Sequence, residues 1–166
     1  MSRGRASTPA WPHDSIGRMT SLAVHAALGA LTMVLFFATN AHLYRRDWAG
    51  SRLTFLEGLY YAIAVASVCM GWYFNQKYVF AYPEQKGWVH FTMQLFDTPA
   101  GGSIAQDVIV TNAILFPLWT IIDGPRRGLR RAWLYFVMSL FTSFGFAMGL
   151  YLAAQERQLR WNARPR

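Results

Sequence analysis

The sequence is short of charge, of acid and of cysteine, and each shortage removes a class of explanation. Charged residues are 14% of the chain, against roughly a quarter in soluble domains, so the solvated surface of an ordinary globule is missing. Cysteine occurs once, at Cys69, which excludes an internal disulfide and a thiolate metal cluster. In the middle of an apolar run, Cys69 is expected to be a small core residue. The four histidines include no His-x-x-x-His pair. His25 and His42 sit too far apart on one helix to share a metal, although His25 and His90 can lie on one side. Interfacial histidines are the favoured reading. The sequence also lacks a glycine-rich phosphate loop and a nucleophile elbow. No metal site or cofactor is predicted, while a bound lipid is compatible with the pattern.

What is present is oil. Hydrophobic residues make up 54% of the 166 residues, with seven Trp, eight Tyr and twelve Phe, a supply suited to the aromatic belts of membrane interfaces. The net charge of +8 raises nucleic acid as a partner. Its distribution argues against that. The basic residues sit at the ends of apolar runs (Arg45, Arg46 and Arg52; Arg126 to Arg131; Arg157 to Arg166), where membrane proteins hold anionic headgroups. Arg45, Arg46, Arg126, Arg127, Arg130 and Arg131 are therefore the candidate headgroup-binding residues. Membrane lipids and other membrane-protein subunits are the expected partners.

Bilayer-crossing helices need about 20 apolar residues, and four runs approach that length. The expected spans are 20–44, 57–79, 104–122 and 132–154, forming a transmembrane domain over 19–155 between a flexible basic tail, 1–18, and a basic C-terminal tail, 156–166. An interfacial stretch around Trp11 closes the first tail. The first run is too long for a signal peptide, and Ala38-Thr-Asn40 is a poor cleavage site. Thr54 with Glu57, and Ser103 with Gln106, read as capping boxes opening the second and third spans. Lys77 marks the wet end of the second span. The long connection from Ala81 to Ser103 holds Trp88–Phe96, read as a short interfacial helix because a lone strand would leave backbone groups unpaired. The turn Asp123-Gly-Pro-Arg-Arg-Gly128 caps the last two spans. The fold class is thus all-α, a polytopic membrane bundle of four transmembrane helices plus one interfacial helix. Orientation stays open: the short loops favour a cytoplasmic placement, and the basic C-terminal tail, on the opposite side in a four-span chain, argues the reverse.

Asp107 is the one carboxylate inside the third run. Ionisable groups at membrane depth are functional candidates, and Asp107 shares a face with Thr111 and Ile114. A structural reading competes, in which the acid lies one turn from a helix N-terminus and answers its dipole. Asp123 is a second candidate acid, although an Asx-turn role, with pairing to Arg126 or Arg127, is favoured. Pro117 removes one helix hydrogen bond and frees the carbonyl of Ala113. Asn112 can bond across helices. Gly145 and Gly149 form a small-xxx-small pattern for close helix packing.

From the second span onward the chain carries Tyr60-Tyr61, Gly71-Trp-Tyr-Phe-Asn-Gln76, the aromatic stretch Phe91–Phe96, Asp107, the Asp123–Gly128 turn, Trp133-Leu-Tyr135, Leu150-Tyr-Leu152 and Glu156-Arg157. In that order they resemble a family of small bacterial membrane proteins catalogued as domain of unknown function 2834, over roughly residues 56–159. The chain differs from that pattern in its added N-terminal helix and in having Asp-Gly-Pro where Glu-Gly is more usual. The resemblance implies a bacterial inner-membrane, multi-pass helical protein and no particular activity. The function expected is an accessory or scaffold subunit, or a lipid-binding module. The alternative is an enzyme acting on a lipophilic, isoprenoid-like substrate, with Asp107 as acid and Trp72 and Tyr73 facing cationic intermediates. A proton-coupled carrier ranks last for want of buried polar groups.

Overall fold

The computed structural model describes residues 13–48, 50–82 and 88–164, with side-chain surroundings starting at Ala23 and, after the second gap, at Val89. Most of the expected basic tail, with Trp11, and residues 83–87 of the long connection lie outside the described residues. All regular structure among the described residues is helical. In chain order it comprises α1 (His13–Thr39), a 3-10 turn (Ala41–Tyr44), α2 (Phe55–Ala81), α3 (Trp88–Gln94), α4 (Pro99–Arg127), α5 (Leu134–Phe141) and α6 (Phe144–Asn162). Among the described residues α2 and α4 are long and apolar enough to cross a membrane, and α1 contributes a shorter apolar stretch, Ala23–Thr39.

α1 begins at His13, earlier than the expected Thr20. Thr54 caps α2 by accepting the Glu57 N–H at 3.3 Å. Only this half of the expected capping box forms, because the Glu57 carboxylate is drawn to arginines on α6. The second expected box is absent. Thr98 caps α4, accepting from Gly101 N–H at 3.0 Å, and Pro99 occupies the first turn where its missing N–H costs nothing. The long connection contains the helix α3, in agreement with the interfacial-helix expectation over the strand.

Inside α4 a wide π-helical turn spans Val110–Leu115, where the Phe116 N–H reaches Thr111 O. Its cause is Pro117, which has no N–H for the Ala113 carbonyl and whose ring crowds it; one extra residue in the turn relieves the clash. The expected loop at Asp123 is instead helix through Arg127. The turn is made further on by Gly128 at φ 96°. There Gly128 N–H bonds Pro125 O and Leu129 N–H bonds Gly124 O, both at 2.9 Å, the paired bonds of a Schellman ending.

The largest departure concerns the expected fourth span, 132–154. It is two helices, α5 and α6, broken at Thr142 and Ser143, with Ser143 in extended conformation capping α6. The chain reverses direction there. In one straight helix Tyr135 and Tyr151 would be about 24 Å apart; their rings lie 5.2 Å apart. At the far end of α6, Asn162 Nδ2 donates to Arg127 O at 2.8 Å, so the C-terminus returns to the loop from which α5 set out. Residues that break a helix by hydrogen-bonding their own neighbourhood are Ser and Thr. Here Thr142 Oγ1 donates to Met138 O at 2.8 Å and Ser143 Oγ accepts from Phe146 N–H at 3.1 Å.

The α5–α6 hairpin is the centre of the molecule. Tyr135, Tyr151, Met138, Phe36 and Phe116 are fully or almost fully buried there. α1 packs on α5 and α2 packs on α6. The contacts are close because glycine faces the neighbour. A Cβ on Gly149 would lie 2.8 Å from Tyr60 O and 2.9 Å from Ala64 Cβ, one on Gly145 would overlap Ser67, and one on Gly29 would lie 2.7 Å from Thr142 Cγ2.

Candidate functional site

α2 turns its polar and small residues inward and its large apolar residues outward. The inward stripe runs through Glu57, Ala64, Ser67 and Gly71, the three- and four-residue steps of one helix face. Phe55, Ile63, Val65, Met70 and Phe74 are exposed. Cys69 belongs to the outward face and is exposed; the expected core position fails because the buried stripe of α2 passes on the other side of the helix.

Glu57 is the chemical centre of the inward stripe. Its residue exposure is 0%, and it pairs with two cations on α6. Arg157 Nε donates to Oε1, and Arg160 Nη2 donates to Oε2 at 2.5 Å. The same guanidiniums tie down the neighbouring loops. Arg157 Nη1 donates to Leu43 O at 3.1 Å, and Arg160 Nη1 donates to Gly50 O at 2.5 Å and Arg52 O at 2.8 Å. Arg157 also lies 4.9 Å from the Tyr44 ring centre. Burial alone would lower the Arg157 guanidinium, but the hydrogen bond and charge of Glu57 outweigh it and hold it above its ordinary value. Burial, with the Tyr61 hydroxyl beside it, pushes the Tyr44 phenol up.

A second clamp stands next to the first. Asn40, fully buried, donates to Arg130 O at 2.9 Å and to Phe36 O at 3.2 Å, and accepts the Arg130 N–H at 3.0 Å. The end of α1 is thereby locked to the loop before α5. A cleft of about 450 Å3 opens beside these clamps, lined by Arg46, Ser51, Arg52, Leu53 and Arg157.

The candidate residues read from sequence are distributed unevenly around this end. Arg45, Arg46, Arg126 and Arg131 are exposed. Arg127 is committed to Asp123 at 2.6 Å, and the backbone of Arg130 is committed to Asn40. Asp123 makes no Asx turn, since the helix runs through it. Its Oδ2 accepts from Arg127 Nε at 2.6 Å, Trp119 Nε1 at 2.9 Å and Gln155 Nε2 at 2.9 Å, which ties α4 to α6. Asp107 is exposed and accepts from Gln106 Nε2 at 2.5 Å. With α4 starting at Pro99, it lies beyond the first turn, where dipole stabilisation has faded. It does not line the cleft. Asn112 Oδ1 accepts from Ser139 Oγ at 2.9 Å, joining the π turn to α5. His25 sits against Phe141, His42 against Trp161, and His90 bonds Tyr78. Among the described residues no three His, Cys, Asp or Glu side chains gather in a way that could hold a metal ion.

The family comparison now has a structure to refer to. A family model described as protein of unknown function DUF2834 matches residues 59–157. The chain belongs to this family. No curated protein and no solved structure matches it. The matched stretch starts within α2, runs through the hairpin and ends at Arg157. Glu57, Arg160, Asn40 and four of the five cleft residues lie outside it, on the segments that flank the family region.

Sequence reasoning missed the Glu57–Arg157–Arg160 cluster because it assigned Glu57 to a helix cap and the arginines to a tail. The available signal was charge parity: a lone acid at one end of an apolar run, and two arginines three residues apart, on one helix face, at the end of another.

Proposed function

We propose that this family member is an integral membrane protein acting as a lipid-binding scaffold subunit, without chemistry of its own. The observation that carries the reading is how little of its two long apolar helices the fold covers. The most apolar windows of α2 and α4 are 11% and 17% buried, whereas the core helix of a water-soluble protein is mostly covered. Apolar surface of this extent, with polar and small residues turned inward, is what lipid tolerates and water does not.

In this reading α1, α2 and α4 cross the bilayer, and α5–α6 enters and leaves on one side. The irregular backbone at Thr142 and Ser143 is acceptable at depth because it is packed against protein, with Ser67 Oγ 3.0 Å from Ser143 Oγ. The re-entrant hairpin removes the orientation conflict of a four-span chain. Arg157, Arg160 and Arg164 now join Arg45, Arg46, Arg52 and the Arg126–Arg131 group at one end, which the positive-inside rule makes cytoplasmic.

Labelling of single cysteines introduced into a Cys69→Ala background tests this, with a membrane-impermeant maleimide applied to intact cells and to inverted vesicles. Cysteines at Asn162 and Gly50 should react only in inverted vesicles, and one at Asp97 only in intact cells. Reaction of the Asn162 and Asp97 positions from the same side would restore four full spans. Recovery of the chain in plain buffer, without detergent, would end the membrane reading itself.

A further inference from the structure

We propose that the arginine-lined cleft holds the phosphate of an anionic phospholipid, with its acyl chains laid along the outward face of α2. The proposal rests on the membrane reading above and adds to it a defined site and a ligand class. Two arginines share the carboxylate of Glu57, and Arg160 also has Glu156 Oε1 at 4.0 Å, so the cluster balances itself and the positive charge left over at the cleft is that of Arg46 and Arg52. Arg157 directs its Nε to Glu57 and its Nη1 to Leu43 O, while its Nη2 makes no hydrogen bond within the described residues and the side chain lines the cleft. Across the opening, Arg46 and Arg52 are exposed and form no ion pair among the described residues. Three arginines and Ser51 therefore line one concave site.

Guanidinium groups bind phosphate through paired, charge-assisted hydrogen bonds. The surroundings decide between a lipid and a free anion. Leu53 forms the cleft's own apolar wall and is 61% exposed; Phe55, at 88%, and Leu59 continue apolar surface from it along α2. A free phosphate has no use for that track, and an acyl chain does.

Native mass spectrometry of the full chain, extracted in mild detergent, tests the site once bulk lipid is removed. The probes are phosphatidylglycerol, phosphatidylcholine and inorganic phosphate, added separately. Phosphatidylglycerol should remain bound at least about tenfold better than phosphatidylcholine, and the double variant R46Q/R52Q should lose about tenfold of that retention. Ser51→Phe, which fills the cleft without changing charge, should lose it as well. The charge-matched variant K77Q/R164Q, exposed outside the cleft, should retain lipid like the parent, and thermal melting should show all four proteins folded. Equal loss in K77Q/R164Q, or equal retention of the two lipids, would overturn the site. Binding of inorganic phosphate without any lipid preference would overturn the lipid assignment. Each result is independent of the labelling pattern that tests membrane topology, so failure of one reading is separable from failure of the other.

Discussion

The two ends of α2 are held in different ways. At its first turn a fully buried carboxylate meets two arginines of α6, and the connection from α1 is strapped by the same guanidiniums. At its last turns two neutral hydrogen bonds join it to α3. Tyr78 hydroxyl lies 2.7 Å from His90 Nδ1, and Tyr82 hydroxyl donates to Gln94 Oε1 at 3.2 Å, which seats the short helix α3. The contrast separates two uses of polarity. A buried ion pair adds little net stability when intact but is costly to break, because the survivor is left charged and dry. A neutral, wet cluster costs little either way. The arginine end is therefore the fixed end of the molecule, and the α3 end is the adjustable one.

The strongest way to break the comparison is Glu57→Gln, which leaves Arg157 facing no carboxylate and Arg160 only Glu156, at 4.0 Å. Destabilisation of about 3–5 kcal/mol is expected, read as a lowered melting temperature in detergent. Removing the cluster altogether with E57L/R157M/R160M should recover most of that loss. If Glu57→Gln melts like the parent, charge is not what fixes this end. Next in size is Gly149→Val, which faces α2 one to two turns beyond Glu57. Its Cβ alone would lie 2.8 Å from Tyr60 O, so α2 and α6 must part, at a cost of about 1–3 kcal/mol. The expected signature is a lower melting temperature with the Glu57 end still protected from hydrogen exchange.

How legible this architecture was in the sequence follows the same division. Apolar length and arginine brackets pointed to an all-helical chain and to α2 and α4, since those signals are local. The π turn is foreshadowed by Pro117, and the helix ending at Gly128 by a residue able to take φ 96°. The reversal at Thr142–Ser143 was hidden, because apolar residues run on both sides of it and two adjacent hydroxyl residues are ordinary in a membrane helix. What makes the break is tertiary: Gly29, Ser67 and Gly71 leave room around it. The Glu57 cluster was hidden for a related reason. Its members are a hundred residues apart in sequence, as the Arg157–Glu57 bond is, and each has a satisfactory local explanation alone. Asp107, conspicuous in the sequence, turned out to be exposed.

At the adjustable end, Tyr82→Phe removes the hydrogen bond to Gln94 and should cost about 1 kcal/mol or less, with α3 exchanging its amide protons faster and the rest unchanged. A loss as large as that of Glu57→Gln would erase the distinction between the ends.

The smallest effect is a proton's, and it falls on the fixed end only. His42 lies beside Trp161, with centroids 5.1 Å apart. Burial and the positive charges of Arg130, Arg164 and Arg45 hold its imidazole below the ordinary 6.5, against a raising contribution from Gln158. The folded chain thus keeps His42 neutral where the unfolded chain begins to take up a proton. Since the unfolded state then binds more protons, stability falls as pH drops through 6.5 and is fully retained above it. Melting followed between pH 7.5 and 5 should show a shallow decline that His42→Gln abolishes. The decline should come with faster exchange at the 3-10 turn and the end of α6, leaving α3 untouched. A decline that survives in His42→Gln would mean that another group carries the titration, and that the arginine end does not exclude a further positive charge.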